Sequence, residues 1–88
     1  MHVKIHTGAL PDGAETHITD QAAATVRMGF NPSTLPAVDR IKALAAALIS
    51  ECQPIADARG PGGREAAIAI TEIQGASMFA VAAVTADL

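Results

Sequence analysis

The fold of this chain is decided by one short stretch, RGPGG at residues 59–63. It separates two Ala-rich apolar segments, residues 35–58 and 64–87, each of which has the length of a long helix. Clustered Gly and Pro are the strongest local signals for a reversal of the chain. The pattern therefore predicts a long antiparallel hairpin of two helices within residues 31–88. Pro54 is expected to kink or weaken the end of the first helix.

Both predicted helices are apolar on more than the one face that a hairpin buries. The first helix carries a seam with spacings of three and four, which is typical of helix packing: Val38, Ile41, Ala45, Leu48, Cys52 and Ile55. The second helix carries a stripe of Ile70, Ile73, Ser77, Val81 and Val84. Further apolar residues lie beside both, namely Leu44, Ile49, Ile68, Met78 and Phe79. Because small domains often cover such surface by association, we expect a homo-oligomer.

Composition limits the class of protein. The chain has 88 residues, half of them hydrophobic, with two Phe and neither Trp nor Tyr, so we expect one small domain whose core is made of aliphatic side chains. The formal net charge is −3 and the Lys and Arg residues are not clustered, which argues against binding of duplex nucleic acid. Cys52 is the only cysteine, which excludes a disulfide framework and fits a reducing cytoplasm.

One segment is long enough to raise the question of a membrane span. Between Ala66 and Ala86 the only charged residue is Glu72, and a stretch of this length could cross a bilayer. A carboxylate at that depth is costly, and much of the segment is Ala rather than Leu. We therefore predict a helix of a protein assembly and no membrane. The N-terminus has no continuous apolar stretch of the kind found in signal peptides.

The first thirty residues predict a small antiparallel β element. Residues 2–7 alternate between apolar and polar side chains, and Pro11-Asp12-Gly13 predicts a turn. A second alternation, over residues 25–30, places Val26, Met28 and Phe30 on one face and Thr25, Arg27 and Gly29 on the other. Between them, residues 16–19 fit a strand, whereas residues 20–24 also fit the start of a helix with Asp20 as its N-cap. The predicted class is α+β, mainly α, with a β-rich element at residues 1–30.

No residue pattern predicts catalysis or metal binding. His2, His6 and His17 lack a third ligand at a fixed spacing, so exposed histidines are favoured over a metal site. Cys52 falls on the apolar seam and is expected to be a core residue. The Gly-rich turn lacks the Lys-Ser/Thr of a phosphate-binding loop, and no nucleophile–base pair is evident. An enzyme is therefore the least favoured class, and no cofactor is expected.

Two cations have more interesting positions. Arg64 lies at the start of the second helix, where free backbone amides already favour an anion, and Thr71 is on the same face. A carboxylate of Glu65 or of a neighbouring subunit would satisfy this arginine equally well. In the hairpin, Lys42 lies opposite about Ala80, which places it roughly 24 Å from Arg64 at about 1.5 Å per residue. The two cations therefore belong to separate sites, or meet only across a subunit boundary.

Three stretches together suggest a family: FNP at residues 30–32, VDRIK at residues 38–42, and GREAAIAITEIQGASM at residues 63–78. Over residues 30–86 or so, the chain resembles the helical-hairpin domain shared by phage anti-CBASS and anti-Thoeris cyclic-nucleotide sponges. The resemblance implies a protein without catalytic activity that works in the cytoplasm of the infected bacterium. It would sequester cyclic di- or trinucleotides, or cyclic ADP-ribose isomers, between the subunits of an oligomer, often a hexamer.

The resemblance also implies ligand-binding residues. Lys42 matches the lysine of a cyclic-dinucleotide pocket, and Phe30 approximates its aromatic residue, without the hydroxyl and at a different spacing. Arg64 matches an arginine associated with a larger cyclic-trinucleotide site, and Thr71 lies in the same shared stretch. The main alternative is an oligomeric protein-interaction module that binds another protein through its apolar faces and has no small ligand.

Overall fold

A computed structural model describes residues 1–4 and 15–88 of the chain. Two short strands, β1 (His2–Lys4) and β2 (Glu15–His17), precede a short helix, α1 (Asp20–Thr25), and two long helices, α2 (Pro36–Ala58) and α3 (Gly63–Val84). The described residues are thus mainly helical, with a small antiparallel sheet and a helical hairpin. This is the architecture that the sequence predicts for one chain.

The hairpin forms because the chain can reverse sharply after α2. Arg59 ends α2 with φ 55°, and Gly62 precedes α3 with φ 81°, both in the left-handed region that favours glycine. Gly63 is buried against α2, and a Cβ there would lie 3.4 Å from the carbonyl oxygen of Ile55. A Cβ at this point would therefore just touch the backbone of α2. α2 continues through Pro54 to Ala58, and α3 ends at Val84, a little earlier than the sequence predicts.

The N-terminal region differs from its prediction after the second strand. β1 and β2 pair antiparallel with Val3 opposite Thr16, as expected of a small sheet. The strand predicted over residues 25–30 is wrong, because Thr25 ends α1 and residues 26–29 form turns. The ambiguity over residues 15–24 resolves into a strand followed by a helix. The N-cap is Thr19 rather than Asp20, since the Thr19 side chain accepts a hydrogen bond from the Ala22 amide. The turn predicted at residues 11–13 lies outside the described residues.

The core is small and lies where α1 and β2 cover α2. Its buried members are Ile18, Ala22, Val26, Ala46, Ala47 and Ile49. Ile49 has no exposed surface and is the largest fully buried side chain. Beside it, the Ser50 hydroxyl accepts a hydrogen bond from the Thr19 amide and donates one to the Ala46 carbonyl. This pair of bonds ties the start of α1 to the middle of α2.

The buried face of α2 coincides with the predicted seam only in part. Val38, at the start of the seam, is buried. Leu48 and Ile55, two further seam residues, are 53% and 47% exposed, whereas Ile49, which lies off the seam, is fully buried. The reason is that α1 packs on the face of α2 that carries Ile49, and a periodicity within one helix does not show which neighbour will cover it. Much apolar surface therefore stays exposed on both long helices, at Leu44, Leu48, Ile55, Ile68, Met78 and Phe79.

By its length and composition, α3 could cross a membrane. Only 6% of its most apolar stretch of 18 residues is buried within the chain. A helix that packs in the interior of a soluble assembly has the same composition, and Glu72 lies midway along α3. The exposed apolar surface of α3 is therefore expected to contact another molecule, and the length of the helix is compatible with either protein or lipid.

Candidate functional site

Lys42 has a different environment from the other charged residues of the long helices. It is only 7% exposed, and its ammonium group donates hydrogen bonds to the backbone carbonyls of Arg27, at 3.0 Å, and Phe30. A buried ammonium must have such partners, because removing it from water is otherwise very costly. Here the partners are neutral carbonyls, so the positive charge of the lysine remains unbalanced beside them.

The turn after α1 brings these two carbonyls together. Arg27 has φ 58° and Gly29 has φ 89°. Residues 27–30 therefore turn back on themselves and form a curl instead of extending as a strand. The curl is closed by a hydrogen bond of 3.1 Å from the Phe30 amide to the Arg27 carbonyl. The ammonium group of Lys42, on α2, donates to the carbonyls at both ends of the curl, those of Arg27 and Phe30. One lysine side chain thus stabilises the curl between α1 and α2.

Phe30 projects from this curl with two cations next to its ring. The side chain is 60% exposed, although it belongs to a protein with very few aromatic residues. The Lys42 ammonium lies 5.4 Å from the centroid of the ring, and the Arg27 guanidinium carbon lies 5.8 Å from it. Both distances are within the range of cation–π attraction. The structure therefore brings together Phe30 and Lys42, as a shared pocket requires.

Several cavities border this group: one of about 460 Å³ touches it only through Lys42, and three touch Arg27 or Phe30. One of about 210 Å³ is lined by Arg27, Phe30 and Lys42, and its far wall is formed by α3 through Met78 and Val81. A second, of about 540 Å³, adjoins it through Arg27 and Met78. A third, of about 260 Å³, lies between Phe30 and the end of α3. Concave apolar walls with a few polar groups are the usual composition of a small-ligand site.

Arg64 and Thr71 lie elsewhere. Both are exposed, Arg64 in the first turn of α3 and Thr71 two turns later, and the Thr71 hydroxyl donates to the Ala67 carbonyl within its own helix. Lys42 shares its cavity with Ser77, about 20 Å along α3 from Arg64 at about 1.5 Å per residue. One chain does not bring Arg64 and Lys42 together, which agrees with the hairpin geometry predicted from the sequence.

Arg27 is the member of this group that was not among the predicted ligand-binding residues. In the predicted strand of residues 25–30, Arg27 and Phe30 lie on opposite faces, whereas in the observed curl they meet. Gly29 could have indicated this, because an isolated glycine inside a strand-like alternation suggests a bulge or a close approach of the backbone.

His2 and His17 lie side by side on the small sheet. The Nε2 atom of His2 lies 3.2 Å from Nδ1 of His17, and Nδ1 of His2 lies 3.7 Å from a carboxylate oxygen of Glu15. Within residues 1–4 and 15–88, neither these three side chains nor any other such group is arranged so that it could hold a metal ion. His6 lies outside these residues. Cys52 is partly buried, in keeping with a packing role.

Comparison with protein families gives one match. A family model described as "Acb2/Tad1, hairpin domain" matches residues 20–85. No curated protein and no solved structure matches the chain. The match begins at the first residue of α1 and runs one residue past α3, so it includes the curl at Phe30 as well as the hairpin. Lys42, Phe30, Arg64 and Thr71 all lie within it.

Proposed function

Because the chain belongs to the Acb2/Tad1 hairpin-domain family, we propose that it is a phage anti-defence sponge. It binds cyclic di- or trinucleotides, or cyclic ADP-ribose isomers, and withholds them from the immune effectors of CBASS or Thoeris. It acts in the cytoplasm of the infected bacterium and releases its ligand unchanged.

The observation that carries this proposal is the group formed by Arg27, Phe30 and Lys42. An exposed aromatic ring offers a surface on which a base can stack, and such stacking tolerates every base. Two cations within 6 Å of that ring suit a phosphate joined to the same nucleotide. The adjoining cavities give room for a ligand larger than a mononucleotide. Base and phosphate are the two features that all the proposed messengers share.

A sponge needs affinity and abundance rather than a reacting group. It lowers the free messenger concentration by mass action, so it must outnumber the messenger or bind it more tightly than the effector does. An overall negative charge does not oppose this role, since one pocket needs only a few cations for one small ligand. The protein is therefore proposed to be a binder and not an enzyme.

A second class of site is proposed at Arg64 and Thr71. Both side chains are exposed on α3 and lie far from Phe30 along the same chain. Subunits that associate through the exposed apolar faces of α2 and α3 would bring copies of Arg64 together, and a larger cyclic trinucleotide would suit such a shared site. The proposed assembly is a homohexamer.

Equilibrium binding tests the proposed function. The purified protein is titrated by calorimetry with cyclic di-AMP, cyclic di-GMP, cyclic GMP–AMP, cyclic tri-AMP and cyclic ADP-ribose. Saturable binding of at least one of these, with AMP as a non-cyclic control that binds much more weakly, supports the sponge. No binding of any of them contradicts it, and favours the alternative in which the exposed apolar faces bind another protein.

A further inference from the structure

We propose that Arg27 is the residue that contacts the ligand's phosphate at the Phe30 site, and that Lys42 is a positioning residue which holds Arg27 and Phe30 in place. This inference rests on the proposed function and deepens it, because it assigns different tasks to the two cations beside the Phe30 ring.

Lys42 has little capacity left for a ligand. An ammonium group has three donors, and two of them are already used by the carbonyls of Arg27 and Phe30. The residue is 7% exposed, and although it borders cavities, it has only one donor left to offer a phosphate. What Lys42 does is fix the curl from which both Arg27 and Phe30 project. Its charge adds to the local potential without requiring direct contact.

Arg27 has the opposite properties. It is exposed, and within the described parts of the chain no carboxylate pairs with its guanidinium group. It lines both of the adjoining cavities, of about 210 Å³ and about 540 Å³, and it lies beside the Phe30 ring. A guanidinium group presents a fork of donors that pairs with two phosphate oxygens at once, which an ammonium group does not. Arg27 is therefore the better placed and better shaped group for a phosphate.

The backbone of Arg27 has an unusual conformation. Its φ of 58° lies in the left-handed region, which is unfavourable for a residue with a Cβ. Hydrogen bonds hold it there: its amide donates to the Ala24 carbonyl, and its carbonyl accepts from the Phe30 amide and from Lys42. Glycine would adopt this conformation more readily. Thr34 and Arg59 also have positive φ, 59° and 55°, so the conformation does not by itself distinguish Arg27 as a ligand contact.

The conformation also supplies a test with a matched control. Arg27→Gly removes the side chain and relieves the backbone, so it should leave the fold intact. Arg59→Gly is the same substitution at another exposed arginine with nearly the same conformation, φ 55°, at the far end of α2. The two variants have the same net charge and differ only in where the guanidinium group is lost. Their thermal unfolding is measured first, and both are expected to unfold close to the wild-type temperature.

Binding is then measured for each probe of the five-member panel above, and Phe30→Ala identifies the probes that use the Phe30 site. For those probes, Arg27→Gly is expected to weaken binding by about ten- to a hundredfold, the range for a charge-assisted hydrogen bond. Arg59→Gly is expected to bind as the wild type does. Arg27→Lys, which keeps the charge but not the fork, should give an intermediate loss. The affinity of the wild type should also fall more steeply with added sodium chloride than that of Arg27→Gly.

Each outcome decides a separate point. If Arg27→Gly binds the Phe30-dependent probes as tightly as Arg59→Gly does, the inference is overturned and the sponge function stands. If probes bind but none depends on Phe30, the inference is likewise overturned. If the wild type binds no probe, the proposed function fails and the inference fails with it. Should Arg27→Gly not fold, equal binding by Arg27→Lys and the wild type would still overturn the role of the fork.

Discussion

At the residue scale, Lys42 connects the fold to the candidate site. Its side chain crosses from α2 to the chain that follows α1, and its ammonium group donates to the Phe30 carbonyl and, as a second donor, to the Arg27 carbonyl. It also places a positive charge within 5.4 Å of the exposed Phe30 ring. A single buried side chain thus sets the shape of the curl and the electrostatic character of the surface above it.

The first prediction concerns the stabilising role of Lys42. Lys42→Met keeps most of the apolar stem but removes the donors, and we expect a loss of about 1–2 kcal/mol in the free energy of unfolding, because the Phe30 carbonyl loses its partner and the Arg27 carbonyl loses one of two. Arg40→Met, at an exposed position on the same helix, should change it by less than about 0.5 kcal/mol. Urea unfolding at matched protein concentrations measures both. Equal stability of the two variants would show that Lys42 does not hold the curl.

The second prediction concerns the number of sites. Phe30 and Arg64 lie far apart on one chain, so Phe30→Ala and Arg64→Ala should impair binding of different ligands. We expect Phe30→Ala to affect cyclic dinucleotides and Arg64→Ala to affect cyclic tri-AMP, each by about tenfold or more, as for the loss of a stacked base or a charge-assisted bond. Calorimetric titration of both variants with both ligands measures this. The same loss for every ligand in both variants would contradict two separate sites.

At the scale of elements, local signals in the sequence predicted the hairpin, and tertiary packing decided the rest. The glycine-rich break at residues 59–63 and the helical spacing on either side are properties of the chain alone, so both long helices could be located. A helix beginning near residue 20 was one of two predicted alternatives, but the strand predicted over residues 25–30 was wrong, because that alternation is equally compatible with a turn that curls around Lys42. The same error separated Arg27 from Phe30, since a strand puts them on opposite faces. Which face of α2 is buried depends on α1, so the position of Ile49 could not be predicted either.

The third prediction concerns the start of α1. The Thr19 side chain caps this helix, so Thr19→Ala should lower the free energy of unfolding by about 1 kcal/mol. Thr25→Ala is the matched control: its hydroxyl is exposed and donates only to the Gln21 carbonyl within the helix. We expect it to change stability by less than about 0.5 kcal/mol. If urea unfolding gives the two variants the same stability, the cap does not determine where α1 begins.

At the scale of the whole molecule, a single chain leaves much large apolar surface uncovered. Phe79 is 81% exposed, Met78 67% and Leu44 61%, and among residues 1–4 and 15–88 the one large side chain that is fully buried is Ile49. Contiguous exposed apolar surface usually marks a contact with another molecule. Association of several copies would cover these faces and would place the curl at Phe30 and the start of α3 at positions repeated around the assembly.

The fourth prediction follows from this surface. Light scattering at micromolar concentration, without detergent, should give a stable oligomer for the wild type. Phe79→Glu should dissociate it or make its size depend on concentration, because a charge would replace the most exposed of the large hydrophobic side chains. Gln21→Glu, which adds the same charge at an exposed position on α1, should leave the size unchanged. A monomeric wild type would contradict the account of the apolar faces.

The central claim, that this protein binds cyclic messengers and releases them unchanged, is tested most directly by recovery of the ligand. The protein is mixed with a limiting amount of a cyclic nucleotide that it binds, the free ligand is removed by filtration, and the retained protein is heated. Mass spectrometry then identifies what is released. We predict quantitative recovery of the intact cyclic nucleotide. Recovery of a hydrolysed, linear product would contradict the claim and would make the protein an enzyme.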